Sequence, residues 1–213
     1  MAARYGLLGS EKDTWGPAIE ALNQSLVAAG LKPHVEPEDV PQDQRFSCQM
    51  WGYTGLHQLR RIAAYTALNR ELYAPNGELI RDDAVVGEYY AHVQNGDVSA
   101  LPFQHLMLHG DGEGYYVPQD FERVVNPGPA CFKQVGGGIG SSYRLLSECR
   151  LLASVLELPM TMTPESPEIW AAAREPGIGS EPWSRYGIES FSCIRLIRAC
   201  EASIKTGSLV VFC

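Results

Sequence analysis

One stretch of the chain gathers the side chains that most often do chemistry: His105-Leu106-Met107-Leu108-His109-Gly110-Asp111-Gly112-Glu113-Gly114-Tyr115-Tyr116. Two imidazoles and two carboxylates are ligand types that a divalent metal takes, imidazole suiting zinc, iron or nickel. The same groups serve general acid–base catalysis. Residues 103–108 alternate like a strand, and a strand over 103–109 puts His105, Met107 and His109 on one face and turns Leu106 and Leu108 to the core. Asp111 and Glu113 then follow within reach at the strand's end. His105, His109, Asp111 and Glu113 are therefore the candidate metal ligands, with Tyr115 placed to orient a substrate of metal-activated water. The spacing matches neither H-E-x-x-H nor an EF-hand loop, and the pattern assigns no catalytic residue. A plainer reading of the same residues is a tight hairpin. Its glycines supply positive φ, and the acids are ordinary turn residues.

A second glycine-rich stretch, Val135-Gly-Gly-Gly-Ile-Gly-Ser-Ser142, precedes a helix. Backbone N–H groups there could receive an anion, but the stretch matches no phosphate-loop pattern and lacks its lysine. Ser141 or Ser142 as a plain N-cap accounts for the serines. His57 lies one turn from Arg60 and Arg61 and offers a further place for an anion. Cys131 is the best candidate for a thiol nucleophile, although a buried inert cysteine is the commoner case. Two aromatic clusters, around Trp51 and around Trp183, have the composition of an interface and equally that of a core cover.

These residues need elements to hold them. The run from Tyr5 to Leu8 predicts a strand, with a turn at Gly9-Ser10. Residues 14–29 predict a helix with Ile19, Leu22 and Leu26 inward and Gly30 as its stop. Residues 31–47 read as an exposed connection. A helix over 54–72 buries Leu56, Leu59, Ile62 and Ala63 and sends Arg60, Arg61 and Arg70 largely outward. An Asn76-Gly77 turn follows, then a helix over 84–94 capped by Asp82 or Asp83. Tyr115–Val117 is the expected partner strand of 103–108. Helices over 141–156, 164–173 and 189–205 complete the set, and the last residues, SLVVFC, predict a strand tucked into a sheet. The expected architecture is α+β: a single domain of four to six helices on a small mixed or antiparallel sheet that includes the C-terminal strand.

Composition narrows the function. The 213 residues carry 17 Lys and Arg against 25 Asp and Glu, a net charge of −8. With 45% hydrophobic residues the chain is of globular type. No apolar run reaches the length of a membrane span, so no membrane partner is expected. The absence of a secretory pattern and of C-x-x-C pairs among six cysteines points to a reducing cytoplasm, with a disulfide left open by the even count. Clustered Lys and Arg are missing, and on that ground nucleic acid is not expected as a partner. Two functions remain. The first is an acidic protein that docks on a basic protein, as an inhibitor or an antitoxin- or immunity-like protein does. The second is a metal-dependent hydrolase built on His105, His109, Asp111 and Glu113. Oligomeric state is not readable.

Overall fold

A computed structural model describes residues 4–7, 12–75, 83–96 and 101–212. The Gly9-Ser10 and Asn76-Gly77 turns and Cys213 lie outside them. In chain order the described elements are β1 (Arg4–Leu7), α1 (Lys12–Ala28), a 3-10 turn (Gln42–Gln44), β2 (Ser47–Gln49), α2 (Gly52–Ala67) and α3 (Ala84–Gln94). There follow α4 (Gln104–Met107), β3 (Tyr115–Val117), α5 (Pro129–Val135), β4 (Ile139–Ser141) and α6 (Ser142–Val155). The chain finishes with α7 (Pro167–Arg174), α8 (Pro182–Arg185), α9 (Gly187–Thr206) and β5 (Val210–Phe212). Five helices have eleven or more residues, and the expected α+β class holds.

The strands form one mixed sheet in the order β2-β1-β5-β3-β4. β5 pairs antiparallel with β1 (Tyr5 opposite Phe212) on one side and with β3 (Tyr115 opposite Val211) on the other. β3 and β4 are parallel, joined by a crossover that carries α5. Strand alternation then sorts the side chains between two layers. Tyr115, Val117 and Val211 pack with Leu22 and Leu26 of α1 and Val135 of α5. Tyr116 and Val210 face the larger cluster that Leu56, Leu59 and Ile62 of α2, Leu145 and Leu152 of α6 and Leu196 of α9 build. α9 is buried nearly all round, with twelve of its twenty residues in the interior. Such a helix has neighbours on every side. Cys193 and Cys200 are fully buried there, and the five described cysteines are free thiols.

The close approach of β4 to β3 has a steric requirement. A Cβ on Gly140 would sit 2.3 Å from two ring carbons of the buried Tyr116. Gly140→Ala is therefore expected to lower stability by about 1–3 kcal/mol as an overpacked site. Urea denaturation reads that loss, and an unchanged midpoint would show that the ring can move aside.

Three expectations are corrected. Residues 103–108 are not a strand. Phe103 takes φ 67°, in the left-handed region, and α4 starts behind it. The cause is distant. The Glu148 carboxylate of α6 accepts the N–H groups of His105 and Leu106 at 3.0 and 2.8 Å, satisfying the first turn of a helix that local alternation does not suggest. β3 consequently takes β4 and β5 as neighbours. Second, Arg60 and Arg61 are buried, at 4% and 3% exposure. α2 is enclosed at that turn, and each guanidinium finds oxygen partners inside. Third, residues 31–47 are not wholly exposed. His34 and Glu36 form a buried pair at 2.7 Å, and Glu36 accepts the Leu209 N–H at 3.0 Å. That bond ties the connection to the residue leading into β5.

Candidate functional site

Arg60 organises the segment that sequence singled out. Its Nε donates to the Leu106 carbonyl at 2.8 Å, one terminal nitrogen to the His109 carbonyl at 2.5 Å, and the other to Asp111. His57, one turn earlier on α2, holds the second Asp111 oxygen at 2.9 Å. The His57 hydrogen bond and the Arg60 charge, acting against partial burial, keep the Asp111 carboxyl far below the usual carboxylate range. The anion that His57 and Arg60 receive is thus a side chain of the same molecule. Sequence missed only that Arg60 is buried, because nothing local marks a helix arginine as such.

The four predicted ligands do not converge. His105 is buried, its Nδ1 accepting the Ser141 N–H at 3.0 Å and its Nε2 donating to the Glu122 carbonyl at 3.2 Å. His109 is buried and stacked on Tyr116 with ring centroids 4.1 Å apart, its two nitrogens beside the carbonyls of Gly110 and Tyr115. Burial lowers both imidazoles to a pKa of about 4, so both are neutral at pH 7. Asp111 is taken by Arg60 and His57, and Glu113 is exposed beside Gly136. Among the described residues no group of three or more His, Cys, Asp and Glu side chains is placed to hold a metal ion. The geometry is that of a clamp fixing the 105–115 segment to α2 and to β3.

The glycine-rich stretch is likewise internal. Ser141 caps α6, its Oγ accepting the Arg144 N–H at 3.3 Å, and both Ser141 and Ser142 have no exposure. Gly137 and Gly138 pack closely on Gly110 and on the Leu108 carbonyl. In the Trp51 cluster the half-buried Trp51 and Trp170 each meet the buried Phe191 edge to face, and the Arg195 guanidinium lies 3.3 Å over Phe191.

What remains for recognition is the surface, and its charge is uneven. Inside, Arg60, Arg61 and Arg195 are matched by the buried carboxyl groups of Glu36, Glu189 and Asp83. Several surface carboxylates are neutralised: Glu88 by Arg70, Asp120 by Arg144, Glu201 by Arg150 and Arg198. Others are not. Glu71, Glu168, Glu175 and Glu181 are exposed and stand in no ion pair among the described residues. The segments that carry them touch. The Gly177 N–H donates to the Arg185 carbonyl at 2.9 Å, a Cβ on Gly177 would lie 3.2 Å from the Pro75 carbonyl, and Tyr186 donates to the Tyr73 carbonyl at 2.5 Å. Glu71 is near enough to raise the Tyr186 phenol, after burial and Glu189. Two exposed arginines, Arg174 and Arg185, share this end of the molecule.

The structure is thus an α+β scaffold with a buried polar clamp and a surface on which some carboxylates are paired with arginines and others are not. The chain belongs to the family described as "Putative DNA-mimic protein", whose model matches residues 9–212. No curated protein and no solved structure matches the chain. The family carries a role of mimicry and protein binding and not that of a metal hydrolase. It also corrects the expectation of a basic protein partner without nucleic acid: a family of DNA mimics is tied to DNA through proteins that bind DNA. A net charge of −8 argues against binding phosphates. The same charge is what an imitation of phosphates must carry, so the sign that argued against DNA as a ligand is the sign DNA itself has. Among the described residues no helix is long and apolar enough to cross a membrane.

Proposed function

We propose that this protein inhibits a DNA-binding protein by occupying the surface that receives DNA. Membership of the DNA-mimic family is the observation that carries the reading. The unneutralised carboxylates Glu71, Glu168, Glu175 and Glu181 support it and supply the candidate face. Glu168 lies in the first turn of α7 and Glu175 at its C-cap, about 10 Å apart along the helix axis. About three nucleotides of one DNA strand rise by the same distance. A fixed array of carboxylates needs no counterion atmosphere as dense as that of a duplex, yet it steers the same basic groove by the same field. Free thiols at the five described cysteines agree with action in the cytoplasm.

The test is displacement. Proteins captured on the immobilised chain are challenged with duplex DNA and, separately, with rising salt. The expected result is that the captured proteins bind DNA in their own right, that duplex DNA releases them, and that affinity falls steeply with salt. The Glu71→Gln, Glu168→Gln, Glu175→Gln, Glu181→Gln variant is expected to capture the same proteins with a slower on-rate and a shallower salt dependence. Retention of the partner under saturating duplex DNA would overturn the reading.

A further inference from the structure

The end of α6 and the middle of α9 enclose a groove of about 550 Å³. Ala153, Leu158, Ile194 and Ile197 contribute its apolar lining, and Met160 stands on its edge with 99% of its surface exposed. α6 runs into this edge through a Schellman turn, in which the Leu158 N–H reaches the Ala153 carbonyl at 2.9 Å and the Glu157 N–H the Ser154 carbonyl at 3.1 Å. The residue in the left-handed position is Glu157, φ 51°. α1 and α9 put glycine there, Gly30 and Gly207, and α2 puts Asn69. Glutamate pays twice at this position, through its Cβ at positive φ and through a carboxylate at the negative end of a helix. Among the described residues it stands in no ion pair. On the same groove Arg150 of α6 and Arg198 of α9 share the single carboxylate of Glu201, each at 3.1 Å, which leaves one cation uncompensated.

We propose that this groove is a two-fold interface between two copies of the chain, with Met160 of each copy in the groove of the other and Glu157 of each facing the Arg150–Arg198 pair of the other. Charge selects a second copy as the occupant. Most of the surface of a chain with net charge −8 repels its like. Here one unpaired anion and one surplus cation balance, so two copies can approach over an apolar floor. A two-fold contact is self-complementary by construction: the group that Glu157 needs lies on the same patch that presents Glu157. A DNA-binding face would bring cations against Arg150 and Arg198. None of Glu71, Glu168, Glu175 and Glu181 lines the groove, and the interface stands or falls independently of them.

Sedimentation equilibrium of the full chain from about 1 to 100 µM reads the mass directly. Two chains per particle are expected for the natural sequence. Met160→Glu alters only an exposed side chain, and is expected to weaken the dimer about tenfold or more while the unfolding midpoint of the dissociated chain stays unchanged. Glu157→Gly separates interface from fold. It relieves the left-handed residue and so raises the unfolding midpoint of the dissociated chain, yet it weakens the dimer. A one-chain mass over the whole range would overturn the proposal, as would a dimer indifferent to Met160→Glu. A one-chain mass with Met160→Glu releasing a captured DNA-binding protein would also overturn it, by assigning the groove to that partner.

Discussion

Replacing Arg61 with methionine is expected to destabilise the fold by about 3–5 kcal/mol, the cost of leaving a buried charge without its partner. Arg61 donates through Nε to Asp83 at 2.6 Å, and both side chains are at least 96% buried, with 3% and 4% exposure. The guanidinium lies 3.6 Å over the ring of Tyr73, and Tyr73 in turn donates to the buried Glu189 of α9. Asp83 has a second task. Its other oxygen accepts the N–H groups of Val85 and Val86 at 2.9 and 3.2 Å and so caps α3. Burial alone would raise the Asp83 carboxyl; the Val86 N–H and the Arg61 contacts more than offset it and hold the group below its ordinary value. One ion pair thus joins α2, α3, the 71–75 segment and α9. Asp83→Ala is expected to cost as much as Arg61→Met, with the lost cap added. The Arg61→Met, Asp83→Asn double variant is expected to recover part of the loss, because neither charge is then stranded. Urea midpoints at constant m-value provide the measurement. A loss below about 1 kcal/mol for Arg61→Met would place the pair with solvent-exposed ones.

Acidification is the second large effect. Unfolded histidine titrates near 6.5, and burial holds His105 and His109 at about 4 in the fold. Between those values the unfolded chain takes up protons that the native chain refuses. Stability therefore falls as pH drops from about 6.5 to about 4, by about 3 kcal/mol for each imidazole. Glu148 opposes them. Burial outweighs its two backbone N–H donors and raises it to about 7, so the native state is protonated first and gains about 3–4 kcal/mol as pH falls from about 7 to about 4. Burial also raises Glu189, which acts in the same direction as Glu148. The depressed carboxyls of Asp83 and Asp111 contribute stability above about pH 4 and lose it further down. The direct check is an NMR titration of the imidazoles, in which neither His105 nor His109 is protonated above about pH 5. Glu148→Gln removes an opposing group, and its unfolding midpoint is expected to fall more steeply with acid than that of the natural sequence. Titration of either ring near 6.5 would contradict the burial that the clamp requires.

The sequence was legible where the signal is local. The stripe Leu22–Leu26 with Gly30 behind it, an Asp at 82 or 83 before α3, a Ser at 141 or 142 before α6 and the apolar end at Val210–Val211 each point to their own structure, since caps and stripes act within a few residues. Residues 103–108 fail for the opposite reason. Their alternation is that of a strand, and the choice is made by Glu148, some forty residues on, and by Arg60, some forty residues back. β4 hides among glycines because Gly140 is there to admit a ring from β3, a demand that only the pairing reveals. The site was half legible. Sequence marks 105–116 as the densest polar segment and His57 with Arg60 as a receptor for an anion, but not that Asp111 is that anion. It gives the amount of negative charge and not which carboxylates an arginine has already claimed.

The sheet has a temporal consequence. β5, the last of the five described strands to leave the ribosome, lies between β1 and β3. Until it arrives, β1 with β2 and β3 with β4 are separate two-stranded pieces without a common edge, each too small to persist alone. Helices can form as they are synthesised, but the sheet closes only in a late step that joins β5 to β1, about two hundred residues earlier. Such a closure is slow by its loop length alone, and until it happens two strand edges stay open to any neighbour that can pair with them.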